Sequence, residues 1–278
     1  SLNVFNNTGL TDLRCFFNQI TSLDVTNNTA LVALRCFSNQ LPSLNVSNNT
    51  ALTTLSASTN LFTSLDLSAN TLLAILDLNA NQISNLDLSN NTALVFFEIS
   101  TNLLVNLDLT SNTLLEHVRC YNNPLLVTLT GLNNAPNLTV IECFNTALSA
   151  LNIQNGNNNN LTSFAATGNT NLLCIQVDNP SFMNTNWSAG KDAGATYSTV
   201  CPLPCIVNVP DVAFKAALVA NNLIDTNNDD EIQCAEATAF TGTINVSNLS
   251  ISDLTGIEAF TSLTQLNCSG NALTSLNV

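Results

Sequence analysis

Apolar positions recur along the chain at a fixed spacing. In the stretch that starts at Leu10 they are Leu10, Leu13, Cys15, Ile20, Leu23 and Val25. That stretch, LTDLRCFFNQITSLDVTNNTA, is followed from Leu31 by LVALRCFSNQLPSLNVSNNTA, and further copies start at Leu52, Leu73 and Leu94 with the same 21-residue step. Copies from Leu115 and Leu138 stretch to 23 residues, a truncated one starts at Leu161, and another starts at Leu263. Such self-similarity marks stacked units, none of which can bury its apolar face alone. Leu13-x-Cys15 and Leu23-x-Val25 each show the period of two of a half-buried strand. Each is followed at the same offset by an asparagine, Asn18 or Asn28. One unit therefore predicts two strand-like edges with an asparagine turn after each, and stacking predicts parallel strands about 4.8 Å apart. The columns Asn18, Asn39, Asn60, Asn81, Asn102 and Asn28, Asn49, Asn70, Asn91, Asn112 are expected to point inward. There an amide can satisfy a backbone donor and a backbone acceptor at once.

The pattern L-x-x-L-x-C-x-x-N resembles that of the leucine-rich-repeat family over most of the chain. It is most similar to secreted bacterial surface members, in which a second strand-like L-D-V-S segment takes the place of a helix. The resemblance implies a mostly β solenoid of 21–23-residue coils whose first sheet presents the ligand-binding face.

The pattern stops at Cys174, which sets the expected domains. Residues 1–173 form the solenoid. Residues 174–205 form an end cap, containing the only Trp, and a Pro-stiffened joint, CPLPC. A start cap follows at 206–243, and a second solenoid begins at 244–278. Caps are needed because a bare terminal coil exposes both core and strand edge. In the start cap Asp211 is placed to cap a helix whose apolar face carries Val212, Phe214, Leu218 and Leu223. Ser275-Leu-Asn-Val278 repeats Ser1-Leu-Asn-Val4 in sequence and in phase. The reading favoured here is one period of a tandem array, joined covalently or head to tail to neighbouring copies. The competing reading is a chain cut inside a repeat.

The start cap also carries the one motif with definite chemistry. Asp225, Asn227, Asp229, Glu231, Gln233 and Glu236 have the spacing of a calcium-binding EF-hand loop. Asp225, Asn227 and Asp229 would offer side-chain oxygens and Glu231 its carbonyl. Gln233 would hold a water, and Glu236 would close the site with both oxygens. Asp230 stands at the sharp turn usually given to Gly, and Ile232 at the usual apolar position. Hard oxygen donors in so flexible a loop suit Ca²⁺ better than Mg²⁺.

The nine cysteines fall into two groups. Cys15, Cys36, Cys120, Cys143 and Cys268 occupy an inward repeat position and read as buried thiols. Cys174, Cys201, Cys205 and Cys234 lie in or beside the caps. Order along the chain favours Cys174–Cys201 with Cys205–Cys234 among the three pairings, which fits an oxidising, extracellular or cell-surface setting.

Charge narrows the function. The 278 residues hold 5 Lys+Arg against 19 Asp+Glu, so no basic stripe exists to neutralise phosphates and nucleic acid is excluded as a partner. No apolar run reaches the roughly 20 residues that span a bilayer, so membrane insertion is not expected. One His and no nucleophile–base constellation argue against an enzyme. All three Arg fall in one outward column, Arg14, Arg35, Ser56, Asp77, Glu98, Arg119, Glu142. Aromatics fill the next, Phe16, Phe37, Ser58, Asn79, Ser100, Tyr121, Phe144. Arg14, Phe16, Arg35, Phe37, Glu98, His117, Arg119, Tyr121 and Phe144 are therefore the candidate partner-binding residues, for a protein or a glycan. A third outward column, Asp24, Asn45, Asp66, Asp87, Asp108, reads as turn-bonding carboxylates, with surface Ca²⁺ the sharper alternative. Two functions fit: an extracellular fibre or stalk of calcium-clamped solenoid blocks, or a discrete cell-surface adhesion module.

Overall fold

The computed structural model describes residues 2–201, 206–226 and 230–275. It divides into two compact units, Ser1–Cys201 and Pro202–Val278.

In the first unit, the inward Leu-x-Cys segments form an eight-stranded parallel sheet. Its strands are β1 (Asp12–Arg14), β2 (Ala33–Arg35), β3 (Thr54–Ser56), β4 (Ile75–Asp77), β5 (Phe96–Glu98), β6 (His117–Arg119), β7 (Val140–Glu142) and β8 (Ser163–Ala165). Coil n is the repeat that carries strand βn. The register never slips: Leu13, Leu34, Leu55, Leu76, Phe97, Val118, Ile141 and Phe164 align in one buried row. A one-residue slip would turn that row out to solvent, so the burial itself fixes the pairing. Two residues past the second inward position, the chain turns through a left-handed residue in seven successive coils. These are Phe17, Ser38, Thr59, Ala80, Thr101, Asn122 and Asn145, with φ from 52° to 58°.

The second edge is less regular than its period-two pattern predicts. Short strands pair there only at Leu2–Asn3 with Leu23–Asp24, at Asn106–Asp108 with Thr128–Thr130, and across Leu151–Asn152, Cys174–Gln176 and Thr196–Ser198. In coils two to four the segment runs as a turn. Asn45, Asp66 and Asp87 accept the backbone N–H of Ser47, Ser68 and Ser89 at 2.9–3.0 Å. Asp24 and Asp108 bond Thr26 and Thr110 in the same way, so the turn-bonding reading of this column is the one the geometry displays.

The two asparagine columns also differ. In the first, Asn60 donates to the carbonyls of Cys36 and Ala57 and accepts the Leu41 N–H at 3.0 Å. Asn18, in the first coil, is exposed and bonds only its own turn. In the second, Asn49 donates to the Val25 and Asn28 carbonyls. Its oxygen, and those of Asn28, Asn70, Asn91 and Asn112, have no hydrogen-bond partner among the described residues. The double satisfaction expected of both columns thus holds for the first alone.

The coil pattern extends past the expected boundary at Cys174. Cys174–Gln176 pairs with Leu151–Asn152, and Ile175 and Val177 are buried with the core. The cap proper is helix α1 (Pro180–Asn186) and the strand Thr196–Ser198, which adds to that edge. Cys174 and Cys201 are joined by a disulfide, 27 residues apart in sequence.

In the second unit, α2 (Val212–Val219) is capped by Asp211, whose carboxylate accepts the N–H of Ala213 and Phe214 at 3.0 Å. The same carboxylate accepts N–H groups from Ser252 and Asp253. Those bonds, the one from Ser252 foremost, pull its pKa down to about 2. The buried face of α2 is Phe214 and Leu218, one turn apart. Val212 and Leu223 are 83% and 75% exposed, because Val212 lies on the opposite side of the first turn and Leu223 lies beyond the helix end. Strands Thr243–Asn245 and Gln265–Asn267 pair in parallel, and Asn271 repeats the inward amide, donating to Val246 and Cys268.

Candidate functional site

Side chains flanking the buried row of the eight-stranded sheet stand on its outer face. The nine residues singled out in the sequence lie there, but in two clusters instead of one continuous patch. The first spans β1 and β2. Asp12 receives Arg14 Nη2 at 2.8 Å and Arg35 Nη1 at 3.0 Å, and the Arg14 hydrogen bond is the main cause of its lowered pKa. Beside this triad Phe16 stacks on Phe37 with centroids 4.4 Å apart, and Phe17 meets both edge-on.

The second cluster spans β5 to β7. Arg119 bridges two carboxylates, Nη1 to Glu98 at 2.6 Å and Nε to Glu142 at 2.8 Å. His117 Nε2 lies 3.0 Å from the same Glu98 oxygen, and Phe96 stacks on the imidazole at 4.1 Å. Burial draws the His117 pKa below its ordinary value against the opposing hydrogen bond of Glu98. Tyr121 stacks on Phe144 at 4.4 Å. Between the clusters the outward positions hold small polar groups, the exposed Ile75 and Asp77, whose pKa is raised by burial.

Four partners of these clusters, Asp12, Phe17, Phe96 and Glu142, were not singled out in the sequence. Glu142 was in the arginine column. Asp12 and Phe96 share a further outward column with His117, two residues before the arginine column, so the repeat register could have found them. The inward thiols Cys15, Cys36, Cys120 and Cys143 are buried and free, and Cys268 is free but half-buried. Burial pushes Cys36 and Cys143 up to about 12, so these sulfurs stay protonated and act as small apolar groups.

In the second unit the calcium-loop residues are only partly described; Asn227 and Asp229 lie outside the described residues, as does Cys205. Asp225 is 1% exposed, and its carboxylate accepts the Asp230 N–H at 3.2 Å. Asp230 takes the left-handed turn conformation, φ 62°. Glu236 reaches back across the loop: one oxygen accepts the N–H and hydroxyl of Thr226 at 2.8 and 2.7 Å, the other the Gln233 N–H at 3.0 Å. The Ile232 carbonyl accepts the Val207 N–H, tying the loop to an extended segment, while Ile232 itself is buried. Glu231 pairs with Lys215 at 2.6 Å. Cys234 is disulfide-bonded. Among the described residues no group of three or more His, Cys, Asp or Glu is arranged to hold a metal. No helix among them is long and apolar enough to cross a membrane.

No protein-family model and no curated protein matches the chain. Solved structures do. The functional domain of InlJ from Listeria monocytogenes, which includes a cysteine ladder, is similar at 27% identity and TM-score 0.59 over 66% of this chain and 44% of that one. Internalin C2 from L. monocytogenes str. 4b F2365 aligns at 22% identity and TM-score 0.53, over 68% of this chain and 81% of that one. YopM, a leucine-rich effector protein from Yersinia pestis, aligns at 21% identity and TM-score 0.53, over 98% of this chain and 70% of that one. The fold is a leucine-rich-repeat solenoid. At 21–22% identity the latter two matches establish the fold and nothing more, and the chain spans less than half of the InlJ domain's own length.

Proposed function

We propose that the chain is a non-enzymatic extracellular or cell-surface adhesion module that binds a partner through the outer face of its eight-stranded sheet. The observation that carries this reading is the concentration of all three Arg and two stacked aromatic pairs on that face in a chain with only 5 Lys+Arg. Large rigid side chains on rigid strands lose little entropy on binding, which is why they dominate interfaces. The InlJ likeness supports the same reading, and the stacked thiols of neighbouring coils here, Cys15 with Cys36 and Cys120 with Cys143, resemble the ladder named for that domain. The test is adhesion of the purified chain to surfaces coated with matrix proteins and glycoproteins. Loss of retention in Arg35→Ala and Tyr121→Ala is expected. Retention equal to the unsubstituted chain in both variants would sink the reading.

A finer reading adds calcium. The residues that are described fit a Ca²⁺ loop: a buried Asp225, a left-handed Asp230 and a Glu236 carboxylate folded over the loop. Bound there, the ion would supply charge compensation for the acidic loop and hold the two ends of the turn together. Thermal melting in 1 mM Ca²⁺ (about that level suits weak extracellular sites) should raise the transition of the second unit above that in chelator, and Glu236→Gln should abolish the difference. Equal melting in both buffers would refute it. The tandem fibre is the extension of this reading, supported by the return of the parallel coil register after the start cap. Filaments with a regular axial repeat in electron micrographs of native material are its expected outcome, and isolated particles would count against it.

A further inference from the structure

The two aromatic stacks are turned toward each other. Phe16 covers one face of Phe37 and Phe144 covers one face of Tyr121, with ring planes within 5° and 6° of parallel. Both stacks run from coil to coil, so the uncovered faces of Phe37 and Tyr121 look along the same column across coils three to five. That column holds only Ser58, Asn79 and Ser100 there. Four strand steps separate the rings, about 19 Å at the usual spacing. The result is a stretch of the face with an aromatic ring at each end and polar side chains between them.

One coil from Phe37 lies Ser58, whose hydroxyl donates to Asp77 of the following coil at 2.9 Å. Next to Tyr121 lie Ser100 and, one column across, Glu98. Asn79 sits between, giving its backbone N–H to Asp77 at 3.1 Å and its amide to Glu98 at 2.8 Å. Its amide oxygen accepts the Ser100 N–H at 2.7 Å. The Ser100 hydroxyl, on a residue 1% exposed, has no partner among the described residues. The cations of the face are already matched, Arg14 and Arg35 by Asp12 and Arg119 by Glu98 and Glu142. A strongly charged partner would have to break these pairs, whereas a neutral one would not.

We propose that this stretch of the face binds a neutral β-linked oligosaccharide, with a sugar ring against the face of Phe37 turned away from Phe16 and another against the face of Tyr121 turned away from Phe144. The proposal rests on the sheet-face reading above and specifies its ligand. Sugars whose hydroxyls are all equatorial present an apolar C–H face, which is the surface that packs on an aromatic ring.

The experiment is calorimetric titration of the full chain with laminarihexaose and with cellohexaose, in 50 mM and in 500 mM NaCl (a range over which the screening length falls from roughly 14 to 4 Å). Binding of at least one oligosaccharide is expected, with an affinity that salt leaves unchanged. Phe37→Ala and Tyr121→Ala should each weaken it about tenfold, and Phe37→Tyr should retain it. Both rings are half-exposed, and circular dichroism melts of each variant check that the fold is kept. No heat with either sugar at millimolar concentration, or equal affinity in the alanine variants, would overturn the proposal. If a glycan-free protein is instead retained by this face and released by Phe37→Ala, the sugar is wrong and the adhesion module stands. If neither sugars nor proteins depend on these rings, both fall.

Discussion

Asn60 and Asn49 occupy equivalent-looking positions in the sequence and do different work. Asn60 joins two coils through donors and acceptor together, while Asn49 uses its donors only and keeps an unpaired oxygen. Asn60→Leu strands the Leu41 N–H inside the core, while the Cys36 carbonyl keeps its bond from Asn39, and should cost about 1–3 kcal/mol. Asn49→Leu removes an unpaired acceptor along with its two donor bonds and should cost less. Urea titrations of both, at unchanged m-value, check the order. The register made both columns visible, since spacing reports which residues turn inward. It could not report which way each amide faces, because that depends on the backbone groups the neighbouring coil presents. His117 carries a second residue-scale expectation. Its folded pKa is lowered, so between that value and the ordinary 6.5 the unfolded chain binds more protons, and stability falls as pH drops through this window. Melting temperature should therefore decline between pH 7 and pH 5.5, and His117→Gln should flatten that part of the decline. An unaltered slope in the variant would assign it to other groups.

At the scale of elements, the inner sheet was readable strand by strand because each coil repeats a buried residue at one phase. The outer edge was not. An L-x-V segment alternates in and out whether or not its backbone pairs, and the same Asx turn follows the paired segments at Asp24 and Asp108 and the unpaired ones at Asn45, Asp66 and Asp87. The cap boundary was misplaced for a related reason: Cys174 ends the leucine pattern by residue type while still standing on a paired strand. Its disulfide to Cys201 closes a loop of roughly 27 residues around α1, for which chain-entropy arguments give about 3 kcal/mol. Cys174→Ser with Cys201→Ser should lower the urea midpoint of the first unit accordingly, and a shift below a tenth of that size would show the cap to be held by packing alone. Likewise the helix α2 was predictable from its cap and its apolar spacing, but its face is Phe214 and Leu218 with Ala213, Ala217 and Val219 packed beside them, and Val212 and Leu223 stay exposed.

Across the whole molecule, the sequence disclosed the fold through repetition and the candidate face through scarcity, because so few cations had to be placed. The division of that face into two clusters needed the pairing of Asp12 and Glu98 with their arginines, which links residues 23 and 21 positions apart. One feature of the first unit bears on how it would behave under load. Every ladder hydrogen bond of the parallel sheet points along the stacking direction, so tension applied between the two ends meets those bonds one coil at a time, never all together. The solenoid should yield like a zipper, at low force and in even steps. Each released coil of 21 residues would lengthen the tether by about 65 Å, the extended chain at roughly 3.3 Å per residue less one strand spacing. Optical-tweezer traces should show that staircase. They should also stop short of full extension until reductant is added, because the Cys174–Cys201 bond withholds the last segment. A single abrupt rupture would mean that the coils share the load. A protein built this way absorbs a pull by paying out length, which gives an attachment at a surface a shock-absorbing leash.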